Sequence, residues 1–311
     1  MNPDDPLDRL AADEDWQRRA REIDRDMAKL IRREQRRQWR RGRLTSRFRS
    51  RRSGAGSYPG RGVSWLFLAL LAITIGCGIA LWTETGPAAP AVFGFVLAGW
   101  LVTLCLHEFS HALTAHRGGD DTIAGKGYLR LDPRRYGHPI LTLVLPLLFL
   151  IAGGIPLPGG AVMVERHRLR NRFTDTLVSA AGPAVNVVAA VVLLAVVSIA
   201  GPAAIFDLGE PQAAFWAALT FLAYLQVATA LLNLCPIPGL DGYGILEPYL
   251  PENVRRAGAS IRPFGFLILL ALLLLPPTRA LFSTVVNGLV DLANPPINGV
   301  YFGYHLFQFW S

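Results

Sequence analysis

Three residues in the stretch "LCLHEFSHALTAH" (Leu104–His116) have the types and spacing for hydrolytic chemistry. His107 and His111 are four positions apart, so on a helix they leave one face a turn apart and can bring two imidazoles to a single metal ion. Glu108 lies one position round, near enough to act as a base on water beside that ion without binding it. Two imidazoles do not complete a zinc site, which needs a third protein ligand. The acidic residue best placed to supply it is Asp241 in "NLCPIPGLDGYG", where Pro236, Pro238 and Gly239 break the chain and Gly242 lets the backbone come close. On the residues alone two plainer readings stay open: histidines bonded to neighbouring polar groups, and an aspartate capping a short helix at the membrane surface.

The elements that must position these groups are membrane helices. Of the 311 residues, 51% are hydrophobic and 17% charged, and the apolar residues fall in long blocks, which excludes an ordinary soluble enzyme. Spans of about twenty residues are expected at Val63–Trp82, Ala91–Ala115, Thr176–Ile199 and Ala213–Leu234. A fifth begins near Phe264 and is interrupted at "PPTR", and an aromatic-rich stretch ends the chain. The fold class is therefore an all-α polytopic membrane protein with five or six transmembrane helices. The sixteen residues before His107, "AVFGFVLAGWLVTLCL", carry no charge, and ionisable groups at that depth mark function.

The net charge of +8 is local. Residues 1–62 hold eighteen Lys/Arg and ten Asp/Glu, and the remainder holds thirteen of each. Within this segment Trp16, Ala20, Ile23, Met27 and Leu30 recur at helical spacing, giving a cytoplasmic amphipathic basic helix. Its position directly before a span favours contact with anionic lipid headgroups over nucleic acid, which is not expected as a partner. The positive-inside rule then sets the N-terminus in the cytoplasm and puts Arg117–Arg135, Arg166–Arg172 and Arg255–Arg256 on the same side. That assignment holds only if His138–Val164, broken by Pro146, Gly153, Gly154, Pro156, Pro158, Gly159 and Gly160, makes a re-entrant hairpin beside a cavity. Arginine outnumbers lysine 29 to 2, which points to a GC-rich bacterial genome. Cys77, Cys105 and Cys235 lie in or beside apolar spans without disulfide or metal-site spacing and read as buried small hydrophobes.

Three motifs in this order, "HEFSH", "AGPAVN" (Ala181–Asn186) at the start of a later helix, and N-x-x-P-x-P-x-L-D-G (Asn233–Gly242), resemble those of the site-2 protease family, the intramembrane zinc metalloproteases of peptidase family M50. The stretch "GGIPLPGGAVMV" also resembles that family, whose members carry a membrane-associated β-hairpin or loop there. The resemblance covers about residues 63–250 and does not anchor the N-terminal sixty residues or the final spans; the chain divides into a basic region, 1–62, and a membrane peptidase domain, 63–311, with its motifs between about 91 and 250. It implies Zn2+ held by His107, His111 and Asp241, Glu108 as general base, and Asn186 holding substrate backbone or the oxyanion. Asn186 also reads as a packing amide between helices. The substrate implied is a transmembrane helix of another protein, cut near the cytoplasmic face of the cell membrane. Tyr243 in "DGYG" departs from the family's usual D-G-G, and two readings stay open: it lines the cleft and narrows substrate choice, or it hydrogen-bonds nearby backbone. A silent zinc-binding scaffold would have no use for Glu108. A metal transporter would need polar residues along a whole path, and a membrane zincin of the CAAX-protease type would take glutamate as third ligand. His116, His138, His167 and His305 carry no motif.

Overall fold

The computed structural model describes residues 62–136, 148, 150, 162–207 and 209–310. The expected N-terminal basic helix and most of the expected hairpin, including Gly153 and Gly154, lie outside the described residues. Those described form a helical bundle in which the one β-bridge is an isolated pair, Ala204 with Ile297. Among the described residues five helical stretches are long and apolar enough to cross a membrane, the fifth being Glu252–Leu274, which a single 3-10 turn divides in two.

Helix α1 (Trp65–Trp82) begins at Ser64, whose hydroxyl accepts from the Phe67 N–H. Its apolar outer face (Trp65, Leu68, Ile75, Ile79) is exposed, as suits a lipid-facing surface. Helix α2 (Ala88–Gly118) carries the HExxH motif and stops at Gly119, whose φ of +120° opens the turn. A short α3 (Thr122–Lys126) and two single-turn segments follow.

Helix α4 (Arg172–Ala200) corrects one expectation from the sequence: "AGPAVN" does not open a helix but lies well inside one. The helix starts earlier because Asn171 caps it, its side chain accepting from the Thr174 N–H at 2.8 Å, so "RFTDT" adds polar turns before the apolar run. Pro183 is tolerated inside the helix; having no N–H, it leaves the Ser179 carbonyl without its helical donor.

Helix α5 (Ala213–Asn233) is the centre of the bundle: 83% of its apolar window is buried, against 17–44% for the others. The chain then turns through Pro236–Leu240 into α6 (Asp241–Leu246), α7 (Glu252–Ile261) and α8 (Gly265–Leu274). Leu275 breaks the path before α9 (Pro276–Asp291), as the prolines require. Leu269 and Leu273 of α8 pack on Leu232 near the end of α5, while beyond α9 the Ala293 carbonyl accepts from Ser198 near the end of α4. The interrupted α8 and α9 thus run from one end of the bundle to the other. Helix α10 (Gly299–Phe307), at 1.5 Å per residue, is too short to be the sixth span. Gly299 and Gly303 seat it on α5, where a Cβ at Gly303 would come within 2.3 Å of the Ala217 carbonyl.

Hydrogen bonds fix what shares each end. The Ser64 N–H donates to the Arg130 carbonyl and its hydroxyl to that of Leu131. Asp120, fully buried, accepts from the Glu165 N–H at 2.7 Å and from both the N–H and hydroxyl of Thr122. Arg166 bridges Asp175 at the start of α4 and Glu247 beyond α6. Arg262 pairs with the same Glu247 and Lys126 with Glu165, so the segments holding Arg130, Lys126, Arg166 and Arg262 gather at one end. At the other, Glu84 accepts from the Gln212 N–H beside a cavity of about 230 Å³.

Candidate metal centre

The site is built by three helices and one turn. Helix α2 supplies His107 and His111 from one face, which is turned onto α4 and buried. The turn after α5 supplies Asp241, for a local reason: Gly239 takes φ +108°, the Leu240 N–H donates to the Ile237 carbonyl, and the chain reverses within a few residues. Gly242 permits the reversal, since a Cβ there would lie 2.1 Å from the Leu234 carbonyl oxygen. Asp241 is the first residue of α6. The cap position falls on Leu240, with no side-chain cap bond, so the carboxylate is not used as a helix cap.

The three side chains converge. His107 Nε2 and His111 Nε2 are 3.1 Å apart, and Asp241 Oδ2 lies 3.2 Å from the first and 3.4 Å from the second. Tetrahedral bonds of about 2.0–2.1 Å hold ligand atoms about 3.3 Å apart, so this triangle already has the edge of a zinc site. His107, His111 and Asp241 are the one such cluster among the described residues.

Gly182 makes the approach possible. A Cβ at this position would stand 2.2 Å from His111 Nε2 and 2.4 Å from His107 Nε2, so only glycine lets the α4 backbone lie against the site. Helix α4 also orients both rings. His111 Nδ1 donates to the Val178 carbonyl at 2.6 Å, and His107 Nδ1 lies 2.5 Å from Asn186 Oδ1. With Nδ1 engaged in each ring, Nε2 faces the common point, the arrangement usual for metal-binding histidines.

Glu108 is 2% exposed, faces His107, His111 and Asp241, and keeps Oε2 buried without a hydrogen-bond partner among the described residues. A buried carboxylate oxygen left unpaired is costly unless a ligand or reacting group meets it. The donor set, the glycine cradle and the unpartnered Glu108 oxygen together fit a divalent metal with a reaction beside it. Beside them a cavity of about 10 Å³, lined by Thr103, His107, Asn186, Thr229 and Asn233, has room for about one water.

Sequence reasoning picked out His107, Glu108, His111, Asn186 and Asp241, and the structure brings these five together. His116 and His167 stay outside the cluster, and His138 is not described. Tyr243 is buried, its hydroxyl against Gly258 of α7 and without a hydrogen-bond partner among the described residues, so it does not bond nearby backbone. Two residues escaped notice: Gln226 of α5, to which Asn186 donates, and Thr103 of α2, to which Gln226 donates. The available signal was a lone amide in the apolar run "WAALTFLAYLQVATALL".

A model of peptidase family M50 matches residues 95–276, and the chain belongs to that family. It is 46% identical over 250 residues to "Putative zinc metalloprotease Rip2" of Mycobacterium tuberculosis, spanning 79% of this chain and 93% of that protein. The same-named protein of Mycolicibacterium smegmatis is 43% identical over the same shares. "Putative zinc metalloprotease YwhC" of Bacillus subtilis is 32% identical across 57% of this chain and 78% of that protein. No solved structure matches.

Proposed function

We propose that the chain is an intramembrane zinc metalloprotease that hydrolyses a peptide bond in or near a transmembrane segment of another membrane protein. The observation that carries this is the His107–His111–Asp241 triangle, with a buried carboxylate, Glu108, beside it that keeps one oxygen, Oε2, without a partner among the described residues, in a bundle of membrane-length helices. The relatives' names supply the choice of zinc, and the His₂Asp donor set suits it.

Zinc, when bound by His107 Nε2, His111 Nε2 and Asp241, supplies Lewis-acid activation of water and of the scissile carbonyl. Glu108 takes the proton from the attacking water and returns it to the leaving amine nitrogen. Its burial keeps that carboxylate out of competition with bulk water. Asn186 holds His107 through its oxygen and uses one N–H on Gln226; an amide has two, and the second is left for the substrate carbonyl or developing oxyanion. The substrate helix must unwind to expose its carbonyl, because a helix buries its peptide carbonyls from attack.

The cut lies towards the cytoplasmic face. The site is at the end of the bundle that gathers Lys126, Arg130 and Arg166, and basic residues are retained on the cytoplasmic side. The N-terminus is then cytoplasmic, and the Arg-rich segment before α1 rests on anionic headgroups of the cell membrane.

The deciding experiment compares the unmodified protein with Glu108→Gln for bound zinc and for cleavage of model transmembrane segments. Zinc in both with cleavage only in the unmodified protein is expected. Zinc in both with cleavage in neither would make the chain a zinc-binding scaffold.

A further inference from the structure

Gln226 stands fully buried in the middle of α5, and the hydrolytic mechanism assigns it no part. An amide at that depth is costly unless both its ends are bonded. Both are: Asn186 Nδ2 donates to Gln226 Oε1 at 2.9 Å, and Gln226 Nε2 donates to Thr103 Oγ1 at 2.9 Å. Thr103 Oγ1 in turn lies 2.8 Å from the Trp100 carbonyl.

The chain of bonds has a sense, and the far end sets it. A carbonyl only accepts, so the Thr103 hydroxyl hydrogen is committed to Trp100 and Thr103 must accept from Gln226. Gln226 therefore turns its oxygen to Asn186, and Asn186 turns its own oxygen to His107 Nδ1. An acceptor at Nδ1 calls for the N–H on that atom, which leaves the neutral ring's lone pair on Nε2, facing His111 and Asp241. We propose that Thr103 and Gln226 are positioning residues: acting through Asn186, they select the His107 tautomer and ring plane that present Nε2 to the metal. His111 is held by a backbone carbonyl, Val178, which no side-chain change removes, so it serves as an internal control. The proposal rests on the metal-site reading, but the tautomer can be measured without metal.

The test uses the full chain in lipid, labelled with ring ¹⁵N histidine and freed of metal. Unmodified protein, Thr103→Val, Thr103→Ser and Gln226→Leu are compared by solid-state NMR and by zinc affinity in competition with a chelator. Thr103→Val is nearly isosteric, and the Val/Ser pair carries the test if the Leu variant does not fold. His107 should be the Nδ1–H tautomer in the unmodified and Ser proteins and mixed with Nε2–H in the Val and Leu variants, with His111 unchanged throughout. Zinc affinity should fall about 10- to 100-fold in the Val and Leu variants and recover in Ser. An Nε2–H His107 in the unmodified protein, or Val and Leu variants with unaltered tautomer and affinity, overturns the proposal. If no protein binds zinc while the tautomer still responds to Thr103→Val, the metal-site reading fails and the relay stands.

Discussion

Replacing Gly182 with alanine adds one methyl group to α4 and should disable the centre without touching a ligand. The new Cβ would stand 2.2 Å from His111 Nε2 and 2.4 Å from His107 Nε2, whereas non-bonded carbon and nitrogen rest at about 3.5 Å. Relief therefore requires a displacement of about 1 Å in α4 or in both rings. The rings have little freedom, because each Nδ1 is tied to α4 itself, through Val178 and Asn186. A site of this kind tolerates about 0.5 Å, and a misplacement of 1 Å costs about 100-fold in rate. Overpacking itself costs about 1–3 kcal/mol, which a bundle with a large apolar core survives. The expected Gly182→Ala protein is thus folded, binds zinc weakly, and cleaves a model transmembrane segment at least about 100-fold more slowly. Chelator competition and cleavage in the same lipid preparation measure both. A folded Gly182→Ala protein with unchanged zinc affinity and cleavage would show that α4 does not press on the metal-binding edge as its backbone indicates.

Other substitutions test the supports of the site. Asp120→Asn keeps the size of a buried carboxylate that receives three hydrogen bonds but weakens its acceptance from Thr122 and the Glu165 N–H; a loss of about 1–3 kcal/mol is expected in thermal unfolding. Burial would raise the Asp120 carboxyl, but the Thr122 hydroxyl and the Glu165 and Thr122 N–H groups outweigh it and hold the group below the usual carboxylate range. Its contribution is therefore full above the unfolded value of about 3.9 and is lost as pH falls through the lower folded value; acid unfolding of Asp120→Asn should be less steep there. Gly258→Ala would place a Cβ 1.9 Å from the Tyr243 hydroxyl and should lower the melting temperature, and Tyr243→Phe in the same chain should recover part of it. Gly303→Leu should detach α10 from α5 and destabilise the bundle while leaving the His107–His111–Asp241 distances intact, a separation that unfolding and zinc-binding measurements resolve.

What could be read from the sequence followed the strength of each physical signal. Long apolar runs fixed four spans to within a few residues, because a membrane demands length and hydropathy together. The start of α4 was placed late, since its first turns are polar and sit outside the apolar run that marks a span. The metal-binding edge was legible because its ligands are few, chemically rare at that depth, and carried by motifs. The aspartate turn was legible from its prolines and glycines, and the close approach foreseen for Gly242 is what its position shows. Contacts made by ordinary residues were not legible. Nothing in the type or spacing of Gln226, Thr103 or Val178 says which neighbour each will face, because that depends on how α2, α4 and α5 cross.

Those crossings explain why α4, which supplies no ligand, governs the centre. Its Gly182 admits the two imidazole nitrogens, its Val178 carbonyl and Asn186 amide set the two ring planes, and Arg166 ties its first turns to the segment beyond Asp241. Ser179 and Gly244 touch closely across α4 and α6, where a Cβ at Gly244 would fall 2.6 Å from the Ser179 hydroxyl. The helix therefore contacts every ligand-bearing element, α2 on one side and the aspartate turn on the other. Pro183 sits at this point and removes one backbone bond from α4, leaving the Ser179 carbonyl free of the helical ladder one turn from the rings. The glycine, proline and asparagine of "AGPAVN" thus have separate tasks in one place: close approach, a local break in the helical ladder, and orientation of a ring.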